Sequence, residues 1–253
     1  MSQYNQLHAI VLKERAFNDY DRLVVVYSEE FGKCTLLAKG IRKSQSRMAG
    51  KVQPFSELCI DVVQGRGLPV LTGAELLAFH DGIRHEYGRT LAALYMLDVY
   101  DQICEEGERD TALFSHLTCS LKELSYLSLS LWHMRFEWIL FSLIGYGPPF
   151  SFEDHKKIET VWIYQDGHME AGSAFHRPEH ARIFLLTEDI VFLKHLRTKD
   201  QRLLSSLRVS SKSAQRIRLY FSLLLSLVLP DGIKSRQSFL DVLNEEEEKN
   251  SYT

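Results

Sequence analysis

LHAIVLK at residues 7–13, RLVVVYS at 22–28, CTLLAKG at 34–40, FSELCIDVVQ at 55–64 and LPVLTGAEL at 68–76 are five short runs rich in Val, Ile, Leu and Thr. Turn-forming residues divide them: Asn18-Asp19, Phe31-Gly32 and the tripeptide Gly65-Arg66-Gly67. Runs of this length and composition, bounded by such signals, read as strands. Five of them in about 75 residues, with no helix-length periodic segment between, predict a small closed barrel.

An oligonucleotide/oligosaccharide-binding (OB) barrel is the leading expectation for residues 1–80, and an SH3-like barrel the second. The stretch KCTLLAKGIRKSQSRMAGKVQPF at 33–55, which takes in the third run and the longest break after it, carries Lys33, Lys39, Arg42, Lys43, Arg47 and Lys51, with no acid before Glu57. Cations spaced along a loop between strands suit a polyanion better than a core or a small substrate. Arg66, in the next turn, extends the set of candidate DNA-binding residues. Against this stands the plainer reading that surface loops are Lys/Arg-rich as a rule.

Charge distribution supports the polyanion. The chain of 253 residues carries a formal net charge of −3. Residues 1–80 hold ten basic and eight acidic side chains, a net +2, which leaves −5 for the remainder. Apolar content of 45% and charged content of 25% are those of an ordinary globular chain with a substantial core. Cys34, Cys59, Cys104 and Cys119 form no CxxC pair. That spacing argues against a zinc ribbon or a thioredoxin-type site. The start MSQYNQLHAI lacks a secretory pattern and the longest apolar run, 219–229, is short of a membrane span, so a cytoplasmic chain with reduced thiols and no membrane partner is expected.

Beyond Phe79 the pattern turns helical, which makes the fold class α+β: a barrel followed by a mainly α-helical domain. Residues 86–107 place apolar side chains at 91, 94, 95, 97, 99 and 103 and end at Gly107. Asp110 or Thr111 caps a second helix running to about Tyr126. LSLWHMRFEWILFSLIG at 129–145 is apolar on nearly every face, the mark of a central helix, with His133, Arg135 and Glu137 as its polar exceptions. The helical domain is expected over 81–147 and 183–244. Between them, 148–182 is an irregular insert with a VWIY hairpin turning at Gln165-Asp166-Gly167-His168. Helices follow from Thr187, from Ser211 to Leu229 and over 235–243, and 245–253 is expected to be a disordered acidic tail.

Signals for catalysis are weak. The sequence has no Walker loop, GxSxG or HExxH, and no pair of carboxylates stands out, so no catalytic residue is assigned. His155, His168, His176 and His180 fall in one segment, but Pro178 breaks the 176/180 helical spacing and scattered surface histidines are the better reading. Arg135 must find a carboxylate or reach the surface. Arg216, Arg218, Lys234 and Arg236 flank apolar helices nearby in sequence, and cations rimming an apolar cleft suit a peptide with carboxylates and an aromatic side chain.

Leu37-Ala38-Lys39-Gly40-Ile41-Arg42-Lys43-Ser44 followed by Gln53-Pro54-Phe55 resembles the signature of the bacterial recombination mediator family RecO. Arg135-Phe136-Glu137, Leu143-Ile144-Gly145-Tyr146 and Lys234-Ser235-Arg236 follow in matching order. The resemblance covers most of the chain, best over 7–79 and 130–150. It implies a non-enzymatic DNA-repair factor with an OB barrel and a helical domain, acting in the cytoplasm at the nucleoid. Such a factor binds single- and double-stranded DNA, anneals complementary strands, joins RecR and recognises the acidic, Phe-terminated tail of single-stranded DNA-binding protein, so that RecA loads. By position, Lys39, Arg42, Lys43, Arg47 and Lys51 would contact phosphates and Arg135 would grip the acidic tail, with Lys234 and Arg236 in a further cationic motif. Many members carry two CxxC pairs after the Leu-Gly-Tyr helix; residues 148–182 have no cysteine, so no zinc or other cofactor is expected. An RNA-binding module on the same barrel and a metal-dependent nuclease are the alternatives.

Overall fold

A computed structural model describes residues 3–64, 67–147, 160–164, 166–172 and 179–251. They fall into two compact units, 1–129 with 233–253, and 130–232. The expected single helical domain is therefore divided: the helices nearest the barrel in sequence, and the last one, belong to the barrel's unit.

In the first unit, β1 (Gln3–Ala16), β2 (Arg22–Ser28), β3 (Gly32–Ala38), β4 (Glu57–Gln64) and β5 (Val70–Ala78) close into a barrel of order β1-β2-β3-β5-β4. This is the OB arrangement, and it settles the choice against an SH3-like barrel. Closure depends on the long first strand. Its early half pairs with β4, from Gln3↔Gln64 to Ile10↔Glu57, and its later half with β2, from Ala9↔Ser28 to Ala16↔Arg22. The register skips at Leu12, a bulge that bends the strand from one neighbour to the other. The β3–β5 contact is parallel, at Leu37↔Val70.

Strand alternation fills the interior with Leu7, Ala9, Val11, Val24, Val26, Leu36, Ala38, Leu58, Ile60, Val62 and Leu71. Between β2 and β3 the chain reverses at Gly32, whose φ of +68° lies in the left-handed region; a Cβ there would sit 1.9 Å from the Glu108 carbonyl oxygen.

Helices α1 (Asp81–Arg84), α2 (Tyr87–Ile103) and α3 (Thr111–Leu124) follow. Of the two capping candidates, Asp110 and Thr111, it is Asp110 that caps α3, accepting from Ala112 N at 2.8 Å and Leu113 N at 3.0 Å. In the same unit Tyr95 of α2 stacks on Phe239, ring centroids 5.4 Å apart.

The second unit contains α4 (residues 130–143 of the helix Leu129–Leu143), β6 (Thr160–Ile163), β7 (Met169–Gly172), β8 (Ile183–Leu186), α5 (Thr187–His195), α6 (Gln201–Ser206) and α7 (Ser211–Val228). The expected hairpin is present as β6–β7, turning at Gly167 with φ +84°, and β8 adds to its other edge in the order β7-β6-β8. Trp138 and Phe141 of α4 both pack on Phe221 of α7. Asp189, fully buried, ties α5 to α7: it accepts from Arg216 Nε at 2.6 Å and Nη2 at 2.9 Å, and from Ser213. Arg216 is thus a structural strut rather than a rim cation.

Residues 245–251, expected as a disordered tail, continue the final helix, α8 (Lys234–Ser251). Glutamates are good helix formers, and extending an existing helix needs no new nucleus. Among the described residues no helix is long and apolar enough to cross a membrane.

Candidate nucleic-acid interface

The chain between β3 and β4 is folded down onto the barrel. Ile41 and Val52 are buried in the barrel core, with Met48 and Ala49 packed against it. Successive turns hold the backbone: Lys43 N donates to Gly40 O, Ser46 N to Lys43 O, and Val52 N to Met48 O, all at 2.9–3.1 Å. With its apolar residues spent inward, the segment turns Lys39, Arg42, Lys43 and Arg47 outward, all exposed. Four cations on a pinned loop keep their geometry at a smaller entropy cost than four on a mobile one.

The other predicted cations are less exposed or lie outside the described residues. Lys51 is half-buried and donates to Ala74 O at 3.1 Å. Lys33 departs from the expected phosphate role: its ammonium pairs with Asp101 Oδ1 at 3.2 Å and donates to the carbonyls of Asp101 and Cys104. Asp101 also binds Lys13. Burial acts to raise the Asp101 pKa, but the two lysines outweigh it and hold the carboxyl below its ordinary value. Arg66 lies outside the described residues.

The loop is locked to the β1–β2 turn through Asp21. Its carboxylate accepts from Gly40 N at 2.7 Å and from Asn18 Nδ2 at 3.2 Å. These bonds, the Gly40 one foremost, lower its pKa, with Lys39 and Lys43 adding to the effect. Gly40 adopts φ +64° to make this approach. Arg42 N donates to Tyr20 O at 3.0 Å, and the Lys43 ammonium lies 5.5 Å from the centre of the Tyr20 ring. Phe17 and Tyr20 on this turn are 51% and 57% exposed. On the outer barrel face the register aligns Arg15 with Leu23, and Leu23 with Leu37. An open groove of about 290 Å³ lies on this face, lined by Lys13, Arg15 and Lys33 but also by the carboxylates of Asp101 and Glu106. Sequence reasoning missed Arg15, Phe17 and Tyr20; the available signal was an aromatic on each side of Asn18-Asp19.

Phe55, at the end of the basic stretch, is buried, and its ring faces the Arg84 guanidinium at 4.1 Å. Arg84 also lies 3.9 Å from the centre of the Phe79 ring and donates to Pro54 O, Ser56 Oγ and Phe79 O, each at 3.0 Å. Desolvation lowers the Arg84 pKa from its usual high value. The arginine thereby anchors the end of the basic loop, where Phe55 itself takes φ +53°.

The residues assigned to a partner's tail belong to different units. Arg135 belongs to the second unit and is 6% exposed; it donates to the Leu196 carbonyl beyond α5. In this conformation its guanidinium is not at a surface where an acidic peptide docks, which departs from the expectation. Its neighbours in α4, His133 and Glu137, form a buried pair at 3.1 Å. Lys234, exposed, and Arg236, half-buried, belong to the first unit, at the start of α8. Among the described residues no group of three His, Cys, Asp or Glu is placed to hold a metal; His155 and His176 lie outside them. The four cysteines are free, and burial pushes the Cys104 thiol up to about 11.

A DNA repair protein RecO of Syntrophomonas wolfei is 32% identical over 149 residues, which is 57% of this chain and 58% of that one. Namesakes from Desulforamulus reducens and Myxococcus xanthus are 37% and 33% identical over 46% and 49% of this chain, or 45% and 51% of theirs. The matched stretches thus span about half the length of these curated relatives. Two family models, Recombination protein O N terminal and C terminal, match residues 1–80 and 84–237. With both halves matched, and an OB barrel where the first of them lies, this chain belongs to the recombination protein O family.

Proposed function

We propose that the chain is a non-enzymatic recombination mediator in cytoplasmic DNA repair. It binds single- and double-stranded DNA through the loop at 39–47 and anneals complementary strands. The observation that carries this is the outward display of Lys39, Arg42, Lys43 and Arg47 by a loop whose apolar residues are sunk in the barrel. Cations at phosphates release condensed counterions and reduce the repulsion between two strands brought side by side. Neither step makes or breaks a covalent bond.

Cooperation with RecR, docking on the acidic tail of single-stranded DNA-binding protein and consequent loading of RecA are part of the same proposal, and rest on family membership. Arg135 is 6% exposed, so meeting a tail carboxylate would require its surroundings to open. A strand-annealing assay on complementary oligonucleotides, with and without single-stranded DNA-binding protein, tests the proposal. Faster annealing of bare strands, and retention of that gain on coated strands, is the expected outcome. Absence of annealing at low salt would overturn it, and tighter binding of RNA than of DNA in competition would favour an RNA-binding module.

A further inference from the structure

We propose that Tyr20, with Phe17 beside it on the β1–β2 turn, is a base-stacking platform that makes the interface discriminate single strands from duplex. This rests on the reading that the adjacent cations bind phosphates, and goes beyond it in naming what the bases do.

Three observations carry it. Large aromatic side chains are normally drawn into a core, yet these two are more than half exposed on one short turn. The turn is held in place: Phe17 N donates to Asp21 O at 3.2 Å, and Asp21 accepts from Asn18 and Gly40. Exposed aromatics on a pinned turn are preorganised for a flat partner. Third, the turn carries the carboxylates of Asp19 and Asp21, but cations border the rings. Lys43 lies by the Tyr20 ring, Arg42 donates to the Asn18 carbonyl at 3.4 Å, and Arg15 is exposed just before the turn. A strand whose phosphates meet Arg42 and Lys43 presents its bases within reach of the rings.

A single-stranded base offers both faces, and stacking on an aromatic tolerates any base. In a duplex those faces are already covered by neighbouring pairs. The cations therefore serve both forms of DNA, while Tyr20 and Phe17 add affinity for single strands alone.

The test compares three probes of equal length: oligo-dT, a fully abasic sugar-phosphate strand, and duplex. Wild type is expected to bind oligo-dT at least about fivefold more tightly than the abasic strand for each stacked base. Tyr20→Ala is expected to lose that margin on oligo-dT, leaving abasic and duplex binding and the salt dependence unchanged. Tyr20→Phe, which keeps the ring, is expected to retain the margin, and equal circular dichroism of all variants checks the fold. If wild type binds oligo-dT and the abasic strand equally, or if Tyr20→Ala weakens both alike, stacking is overturned while phosphate binding stands. If wild type binds none of the probes at low salt, both readings fall.

Discussion

Replacing Arg42 and Lys43 together by Gln tests the electrostatic account most directly. Both side chains are exposed, and their ties are weak: one 3.4 Å bond from Arg42 to the Asn18 carbonyl, and the Lys43 ammonium 5.5 Å from the Tyr20 ring centre. The backbone bonds that shape the loop, Arg42 N to Tyr20 O and Gly40 N to Asp21, survive the change. The double variant should therefore lose no more than about 1 kcal/mol of stability. Its effect on binding is a matter of counterions. Each phosphate contact on a single strand contributes about −0.7 to the slope of log K against log salt, so four loop cations give about −2.8 and the variant about −1.4. Between about 50 and 200 mM salt, wild-type affinity should fall about 50-fold and that of the variant only about sevenfold. Fluorescence anisotropy of a labelled oligo-dT at four or five salt concentrations measures both slopes. An unchanged slope, with a folded variant, would show that these cations do not meet phosphates.

Other substitutions probe the scaffold behind the loop. Gly40→Ala has room for its Cβ, with Lys43 Cδ the nearest atom at 3.6 Å, but forces an L-residue to φ +64°. It should cost about 1–2 kcal/mol and weaken DNA binding by disturbing the Asp21 contact, as thermal melts and gel shifts would show. Asp101→Asn leaves Lys13 and Lys33 without their shared carboxylate and should cost about 2–3 kcal/mol. Because the folded-state pKa of Asp101 is depressed, its stabilisation is present above the unfolded value of about 4 and is lost as pH falls through the folded one. The variant should accordingly show a shallower acid limb in a pH series of denaturant melts. Arg84→Ala removes the cation that contacts the Phe55 and Phe79 rings along with three hydrogen bonds of 3.0 Å, and should cost about 3 kcal/mol. A melting temperature within error of wild type would contradict that role.

The contrast between Lys33 and Lys39 shows how far the residues could be read in line. In sequence the two are alike, cations on one basic stretch, and nothing local separates them. Lys33 is withdrawn by Asp101, whose place in the chain is 68 residues away. Phe55 and Tyr20 differ in the same way. Each is an aromatic beside a turn, but Arg84 covers one and leaves the other open. Arg135 was legible as a buried cation in need of a partner, and one that it finds is the Leu196 carbonyl, 61 residues away in the chain.

Local patterns sufficed for the five strands, a cap at Asp110 or Thr111, the hairpin at Gly167 and the basic character of the loop after β3, because each depends on neighbours within a few residues. Whether the helices form one body or two, which cations remain free, and where an aromatic stays exposed were decided by tertiary packing. The physical reason is that a charge or a ring becomes available only when no distant group satisfies or buries it, and the partners that do so are brought near by closure of the barrel and docking of helices in its unit.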